Sequence, residues 1–407
     1  MEAQMTTQHQ RAKEIDAYLS GQQEVGKWRI EIAGRAEMLP FYRFPIELLR
    51  YNGENGRLAM EVREWGEKNK RRLDPSDNKD AAVIRDLLLG LEQHETERLQ
   101  EDLEQKGQME PGVITHEGVV INGNRRMAVL EVLHQKQPGK WEYLEAIRLP
   151  HNISQRDLWK IEAGLQLSKD KVAEYHPVNE LLKIKQGIDE GLEPEEVAAA
   201  MYGRTPEEVK KALERLDLID RFLEFFGDAG NYGLIKKFGL HESFIDIQKH
   251  IIGSWEQDGV PSSQRKFQLE CTFALMRSSI RTQDRLEKRR KTGITHMDIR
   301  KLGKIFSDPD AKLIFVEHLE KATGRAKDKT KALLSVPEET VIEDFREAED
   351  KLRMKEQRDQ PVRLIEKAIS ALQSINRKDE HFREESVKEA LSRLSLLVRE
   401  FEEDLTK

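Results

Sequence analysis

The chain has 407 residues, with 75 acidic and 68 basic side chains and a formal net charge of −7; charged residues make up 35% of it and aromatics only 6%. That length allows two or three domains, and that balance describes a helix-rich protein whose nucleic-acid surface, if it has one, must be local. No apolar run approaches the ~18 residues of a membrane helix, the N-terminal MEAQMTTQHQRAKEID lacks a signal-peptide core, and the single cysteine, Cys271, excludes a disulfide framework or cysteine-rich zinc site. A cytoplasmic protein with no membrane partner is expected.

Residues 1–38 are mostly polar, with a short strand expected over Lys27–Ala33. Pro45 can open a helical turn, and Asn52-Gly53 and Asn55-Gly56 mark turns. Residues 61–108 are charged and helical, with Val83, Ile84, Leu87, Leu88 and Leu91 marking a buried stripe. The stretch GVITHEGVVINGNRRMAVLEVL (Gly112–Leu133) then reads as strand, turn at Glu117-Gly118, strand, glycine turn and helix. Asn124 can cap that helix, and Val129, Val132 and Leu133 form its apolar face. Backbone N–H groups, a helix N-terminus and the Arg125/Arg126 pair converge there, which is the physics of a phosphate site. An ordinary hairpin packed on a helix, with its arginines paired to surface acids, would give the same pattern.

A last strand, Trp141–Leu149, precedes a helix that Ser154 and Asp157 cap, with Leu158, Ile161 and Leu165 buried. From His176-Pro177 onward the chain reads as all-helical. Pro194-Glu195-Glu196 opens one helix, Gly203-Arg204 turns, and Thr205-Pro206-Glu207-Glu208 is a capping box for the next. This is a helix-turn-helix with Val197, Ala200, Met201, Val209, Leu213 and Leu216 as core. Glu207 and Glu208 at the start of its second helix repel phosphates, and Lys210, Lys211 and Arg215 partly compensate. Cys271 lies near Leu269, Phe273, Leu275 and Met276, so a buried, inert thiol is expected. The strongest basic cluster is Arg277, Arg281, Arg285, Lys288, Arg289, Arg290 and Lys291, followed by Arg300, Lys301 and Lys304. It could grip a nucleic-acid backbone, or be a solvated face that pairs with the many acids. Loops are expected over Gly253–Pro261 and Thr292–Thr295, and Pro361 is expected to separate the C-terminal helices. Val362, Ile365, Ile369 and Leu372 stripe one of these, and Val387, Leu391, Leu394, Val398 and Phe401 the other, so they form a hairpin packed within the chain or on a second copy.

The order of these segments across Phe41–Gly227 resembles the ParB/sulfiredoxin-like superfamily of chromosome-partitioning proteins and their relatives. There a helix leads into a strand pair, a G-x-R-R turn and helix, an E-N-x-Q-R-like segment and a helix-turn-helix. The resemblance implies a mainly α protein with a small α/β domain. Taken with the residue patterns outside that range, the expected parts are an N-terminal extension (1–38), a nucleotide-binding α/β domain (39–175) with a helical insertion near 61–108, a helix-turn-helix domain (176–252), a helical domain with the basic patch (253–360) and a C-terminal hairpin (361–407) that could dimerise. By the resemblance, Gly123, Asn124, Arg125 and Arg126 match the turn that binds CTP, with Asn124 where the family has Glu. Arg57, beside Asn55, matches an arginine that lines the pocket. Glu162 and Gln166 align loosely with the segment that holds Mg²⁺ and phosphates. No Asn follows Glu162 and no Arg follows Gln166, so hydrolysis should be weak or absent; a lone glutamate can still hold Mg²⁺ when phosphates supply the other ligands.

The expectation is therefore a nucleotide-dependent switch or clamp on DNA that binds CTP with Mg²⁺. A second copy is its expected partner, and a ParA-type ATPase or a defence-system protein a further one. Alternatives are a ParB-like nuclease or phosphotransferase in a phage-defence or DNA-modification system, and a helical scaffold without nucleotide. The distant Cys271 argues against sulfiredoxin-type reduction, and the sequence contains no H-E-x-x-H, P-loop or G-x-S-x-G motif.

Overall fold

The computed structural model describes residues 2–32, 34–167, 175–285, 294–324 and 326–406. The architecture is mainly helical with one small mixed sheet, as the sequence suggested. Helix α1 (Glu2–Leu19) is followed by strands β1 (Gly26–Ile32), β2 (Arg35–Pro45) and β3 (Arg50–Tyr51), and then by α2 (Ala59–Asn69), α3 (Asn78–Gly90) and α4 (Gln93–Lys106). Next come β4 (Gly112–Ile114), β5 (Val119–Asn122), α5 (Asn124–Lys136), β6 (Tyr143–Arg148) and α6 (Gln155–Gln166). The strands lie in the order β1-β2-β6-β4-β5-β3. β4 runs parallel to β6 and β3 parallel to β5, while the other neighbours are antiparallel.

The strand–turn–strand–helix reading of Gly112–Leu133 matches these elements. Gly118 sits at φ 80 and receives no side chain for a second reason: a Cβ there would come within 2.7 Å of Ile15. The expected boundary at residue 38 falls inside β2, and residues 1–38 are not an appendage. β1 pairs with β2 along its length, and Ile15 of α1 is fully buried in the same apolar cluster as Phe44 and Leu130. The missed signal was β2, whose polar first half hid its alternation.

The remaining helices are α7 (Pro177–Asp189), α8 (Pro194–Ala200), α9 (Pro206–Phe226), α10 (Tyr232–Lys237), α11 (His241–Asp246), α12 (Ser262–Arg285), α13 (His296–Ser307), α14 (Pro309–Lys312), α15 (His318–Thr323), α16 (Lys329–Leu334), α17 (Glu338–Gln373) and α18 (Glu385–Thr406). One apolar cluster runs from Met60 and Trp159 through these helices to Ala348. The expected division at 252–253 therefore cuts through a shared core, in which Phe222 of α9 meets Phe273 of α12 with ring centroids 5.5 Å apart. Cys271 is fully buried in that core, and burial holds its thiol well above the ordinary range, as expected of an inert cysteine. Pro361 does not separate two helices: it lies inside α17. Its missing N–H removes one helical hydrogen bond, and on an exposed stretch water can satisfy the freed carbonyl. The break falls later, between Gln373 and Glu385.

Helix α6 is buried on two faces, which positions everything that follows. Ile161 packs with Ile30, Val113 and Ile147 against the sheet, and Trp159 and Ala163 belong to the helical core. The Trp159 ring lies where α7 has Gly187: a Cβ there would stand 2.7 Å from two ring carbons. Gly187→Ala should therefore force α6 and α7 apart and lower unfolding free energy by about 1–3 kcal/mol, read from the urea midpoint.

Candidate functional site

The sequence placed three separated segments in one site, and in the structure they converge. The loop after β3 turns at Asn52–Gly56, held by the Asn55 side chain, whose Oδ1 accepts from Arg57 N at 3.0 Å. Its Asn52 N–H donates to Oδ1 of Asn124 at 3.0 Å, and Asn52 Nδ2 reaches Oε2 of Glu162 at 3.5 Å. Gly56 N–H donates to Oε1 of Glu162 at 3.1 Å. Gly56 is also squeezed from outside, since a Cβ there would fall 2.0 Å from the Tyr175 hydroxyl and 3.0 Å from Lys183 Cδ.

Asn124 is buried but does not cap its helix. Gly123, at φ 105, occupies the cap position, and no side chain caps α5. Asn124 instead donates from Nδ2 to Val120 O at 2.6 Å while accepting from Asn52, and so latches β5 to the loop. The two arginines diverge. Arg125 Nη2 bonds Glu92 Oε2 at 3.0 Å, and Arg126 donates to the backbone carbonyl of Glu110. Burial lowers the pKa of Arg126. Glu92 sits at φ 46, a left-handed conformation that L side chains rarely adopt.

Glu162 is 4% exposed and its carboxylate is fully engaged. Oε2 accepts from Lys183 Nζ at 2.7 Å, and Oε1 also accepts from Gln166 Nε2 at 3.1 Å. Lys183 is itself 1% exposed, and its ammonium also donates to Gln186 Oε1 at 3.0 Å and lies 5.6 Å from the Trp159 ring centroid. A metal ion could reach Glu162 only by displacing that ammonium. Among the described residues, no group of three or more His, Cys, Asp or Glu side chains is placed to hold a metal. Around the network, three buried polar atoms have no hydrogen-bond partner among the described residues: Arg125 Nε, Gln166 Oε1 and Tyr175 Oη. Desolvation, then the charge of Glu162, holds the Tyr175 hydroxyl neutral by raising its pKa. The Arg57 guanidinium lies 5.9 Å from the centre of the Tyr175 ring.

Asn52 and Gly56 were read from the sequence only as turn residues, and Tyr175 and Lys183 were not singled out. Lys183 carried a usable signal, since it interrupts the apolar run Leu181, Leu182, Ile184 on a helix that starts at a proline. Gly56 was legible as a turn residue but its bond to Glu162 was not, because that partner is more than a hundred positions away.

Several of the described residues expected on DNA are engaged by other groups of the chain. The capping box at Thr205 and Glu208 is present, and backbone and hydroxyl bonds from Thr205 hold the Glu208 carboxyl below its usual pKa. Lys210 is exposed, Lys211 lies 3.7 Å from Glu207, and Arg215 is partly buried and donates to Gln248 at 2.8 Å. Arg277 donates to Leu334 O and Arg281 pairs with Glu338 at 3.3 Å, so both tie α12 to α16 and α17. Arg300 grips Asp246, Lys301 bonds Asp298 and Glu349, and Lys304 bonds Glu356. Arg285 ends α12, and Lys288, Arg289, Arg290 and Lys291 lie outside the described residues. No helix among the described residues is long and apolar enough to cross a membrane.

Comparison with protein families, with curated proteins and with solved structures finds no match for this chain.

Removing one member of the buried pair should be costly. Lys183→Met leaves Glu162 buried without a counter-charge and should cost about 3–5 kcal/mol of stability, with Lys183→Met/Glu162→Gln recovering most of it. Denaturant midpoints decide this: a loss under about 1 kcal/mol in the single variant, as for a surface pair, would show that Glu162 does not depend on Lys183.

Proposed function

We propose that this chain is a ParB-like, nucleotide-responsive protein that acts on DNA, and that a nucleoside triphosphate docks where the Asn52–Arg57 loop, the Gly123–Arg126 turn and the Glu162–Gln166 segment meet. One observation carries the reading: three segments far apart in sequence are hydrogen-bonded into one network, bordered by buried polar atoms that have no hydrogen-bond partner among the described residues. Buried polar groups are almost always satisfied, so such a cluster is what a polar ligand would complete.

Arg125 at the start of α5 would hold a phosphate, with Arg57 at the rim; Arg126 turns away to the Glu110 carbonyl. CTP is the nucleotide by the resemblance alone, which is an analogy and not a reading of the pocket. Mg²⁺ does not fit Glu162, because Lys183 already neutralises that carboxylate; the residue suits a structural role. In this arrangement Glu92 sits on Arg125 as an internal anion. A phosphate would compete with it for the same guanidinium, which would free the turn between α3 and α4 and so couple ligand to conformation. Lys210 and Lys211 on α9 are the exposed cations closest to a DNA-reading role, and backbone contact rather than base reading fits them.

The scaffold reading is favoured by a separate observation, the open apolar stripes of the C-terminal helices. Nothing in the site favours a nuclease or phosphotransferase.

Calorimetric titration with CTP, ATP and GTP, each with Mg²⁺, tests the proposal. One nucleotide should bind, Arg125→Ala should weaken it more than about tenfold, and Glu92→Gln should tighten it by removing the competing anion. If no nucleotide binds, or if Arg125→Ala binds as well as the parent, the proposal fails.

A further inference from the structure

The connection between β2 and β3 encloses, with α3 and α5, a cleft of about 610 Å³, within the ~300–1,000 Å³ range of small-molecule sites. It is separate from the network at Glu162, since none of its lining residues takes part in those bonds. Much of the wall is apolar, with Pro45, Ile46, Leu49 and Met127 along it. Ile84 and Leu88, further along α3, reach the core beside Leu130 and Leu133. Ala81 and Ala82, with one side-chain carbon each, leave the space open.

Two groups lining the cleft have unused hydrogen-bonding capacity. Tyr51 is 3% exposed, and its Oη has no hydrogen-bond partner among the described residues. Glu131 stands beside that hydroxyl without a hydrogen bond of ordinary geometry. Half-buried His134, three positions after Glu131 on α5, has a buried Nδ1 that is likewise unpartnered among the described residues. Native proteins leave few buried polar atoms in that state, and an adjoining cleft is where a partner can enter.

The charged groups of the cleft, by contrast, are already matched. Arg85 lies 3.6 Å from Glu131 and 3.2 Å from Asp86, and Arg50 donates to the carbonyls of Glu47 and Leu49. A ligand cation at Glu131 would meet Arg85, and a ligand anion at Arg85 would meet two carboxylates. Burial raises the pKa of Glu131, and burial followed by the charge of Glu131 raises that of Tyr51, so the cleft disfavours added charge.

We propose that this cleft binds an uncharged small molecule with an apolar body and one edge that both donates and accepts hydrogen bonds, the chemistry of a carboxamide or a lactam. The ligand N–H donates to the Glu131 carboxylate, its carbonyl accepts from the Tyr51 hydroxyl, and its body lies along Leu49 and Met127. His134 offers a further polar contact. This inference does not rest on nucleotide binding.

Saturation-transfer NMR on the full chain with benzamide, benzamidinium and benzoate, probes alike in shape but not in charge, tests it. Benzamide should bind at millimolar concentration, and each charged probe about fivefold more weakly or worse, since each meets a like charge. Tyr51→Phe should weaken benzamide about fivefold, as for one lost hydrogen bond, without lowering the urea midpoint, because the hydroxyl it deletes is unpartnered. Ala82→Phe should abolish binding by filling the cleft. Arg85→Gln removes the cation beside Glu131 and should turn the preference towards benzamidinium. CTP should not displace benzamide. No binding of benzamide, equal or tighter binding of a charged probe by the parent, binding that survives Ala82→Phe, unchanged affinity or a lowered midpoint in Tyr51→Phe, an unaltered preference in Arg85→Gln, or displacement by CTP would each overturn the proposal.

Discussion

A carboxylate and an ammonium buried together at 2.7 Å set the conditions for the rest of the structure. Each ion loses several kcal/mol of hydration on burial, and mutual attraction offsets this only when the remaining donors and acceptors are also used. Here they are used: Glu162 takes Gly56 N–H and Gln166, and Lys183 takes Gln186. The consequence is geometric. Gly56 must be glycine, α6 must present a polar residue between two apolar faces, and α7 must bring a lysine inward past Trp159. The pair therefore joins the sheet layer, the loop after β3 and the helical body at one point. Apolar packing alone would let these three slide; a buried charge pair with directional partners fixes their register.

How much of this was legible in the sequence depends on how far apart the interacting residues lie. The Gly112–Leu133 unit was readable because its turn glycines, strand residues and helix stripe are neighbours. The capping signals at Ser154 and Thr205 were readable for the same reason, since a cap is a bond over three positions. Glu162 and Gln166 were singled out, but the role expected of Glu162 was a metal ligand's; its counter-ion lies on the next helix, where only its place in an apolar run betrayed it. Asn124 was read as a cap from local grammar, yet the loop at Asn52 recruited its side chain. Pro361 was read as a break because proline breaks helices whose carbonyls must be satisfied internally, a condition that an exposed helix relaxes.

The basic cluster illustrates the same limit in electrostatics. Arg277, Arg281, Arg300, Lys301 and Lys304 look like a nucleic-acid face when counted along the chain. In the folded protein their partners, such as Glu338, Glu349 and Glu356, stand about fifty positions away on α17. In a chain where acids slightly outnumber bases and helices pack side by side, this neutralisation is the usual fate of a charged face. Individually such exposed pairs contribute little. Collectively they orient α17 on α12 and α13, which apolar side chains do without directional preference.

α17 is where the two parts of the molecule meet. Its first half contributes Val341, Phe345 and Ala348 to the core, and its second half carries an open apolar stripe beyond Pro361. A helix that begins in a packed body and ends exposed transmits force along its axis but resists bending only as far as its hydrogen bonds are complete. Pro361 removes one of those bonds at the point where packing ends.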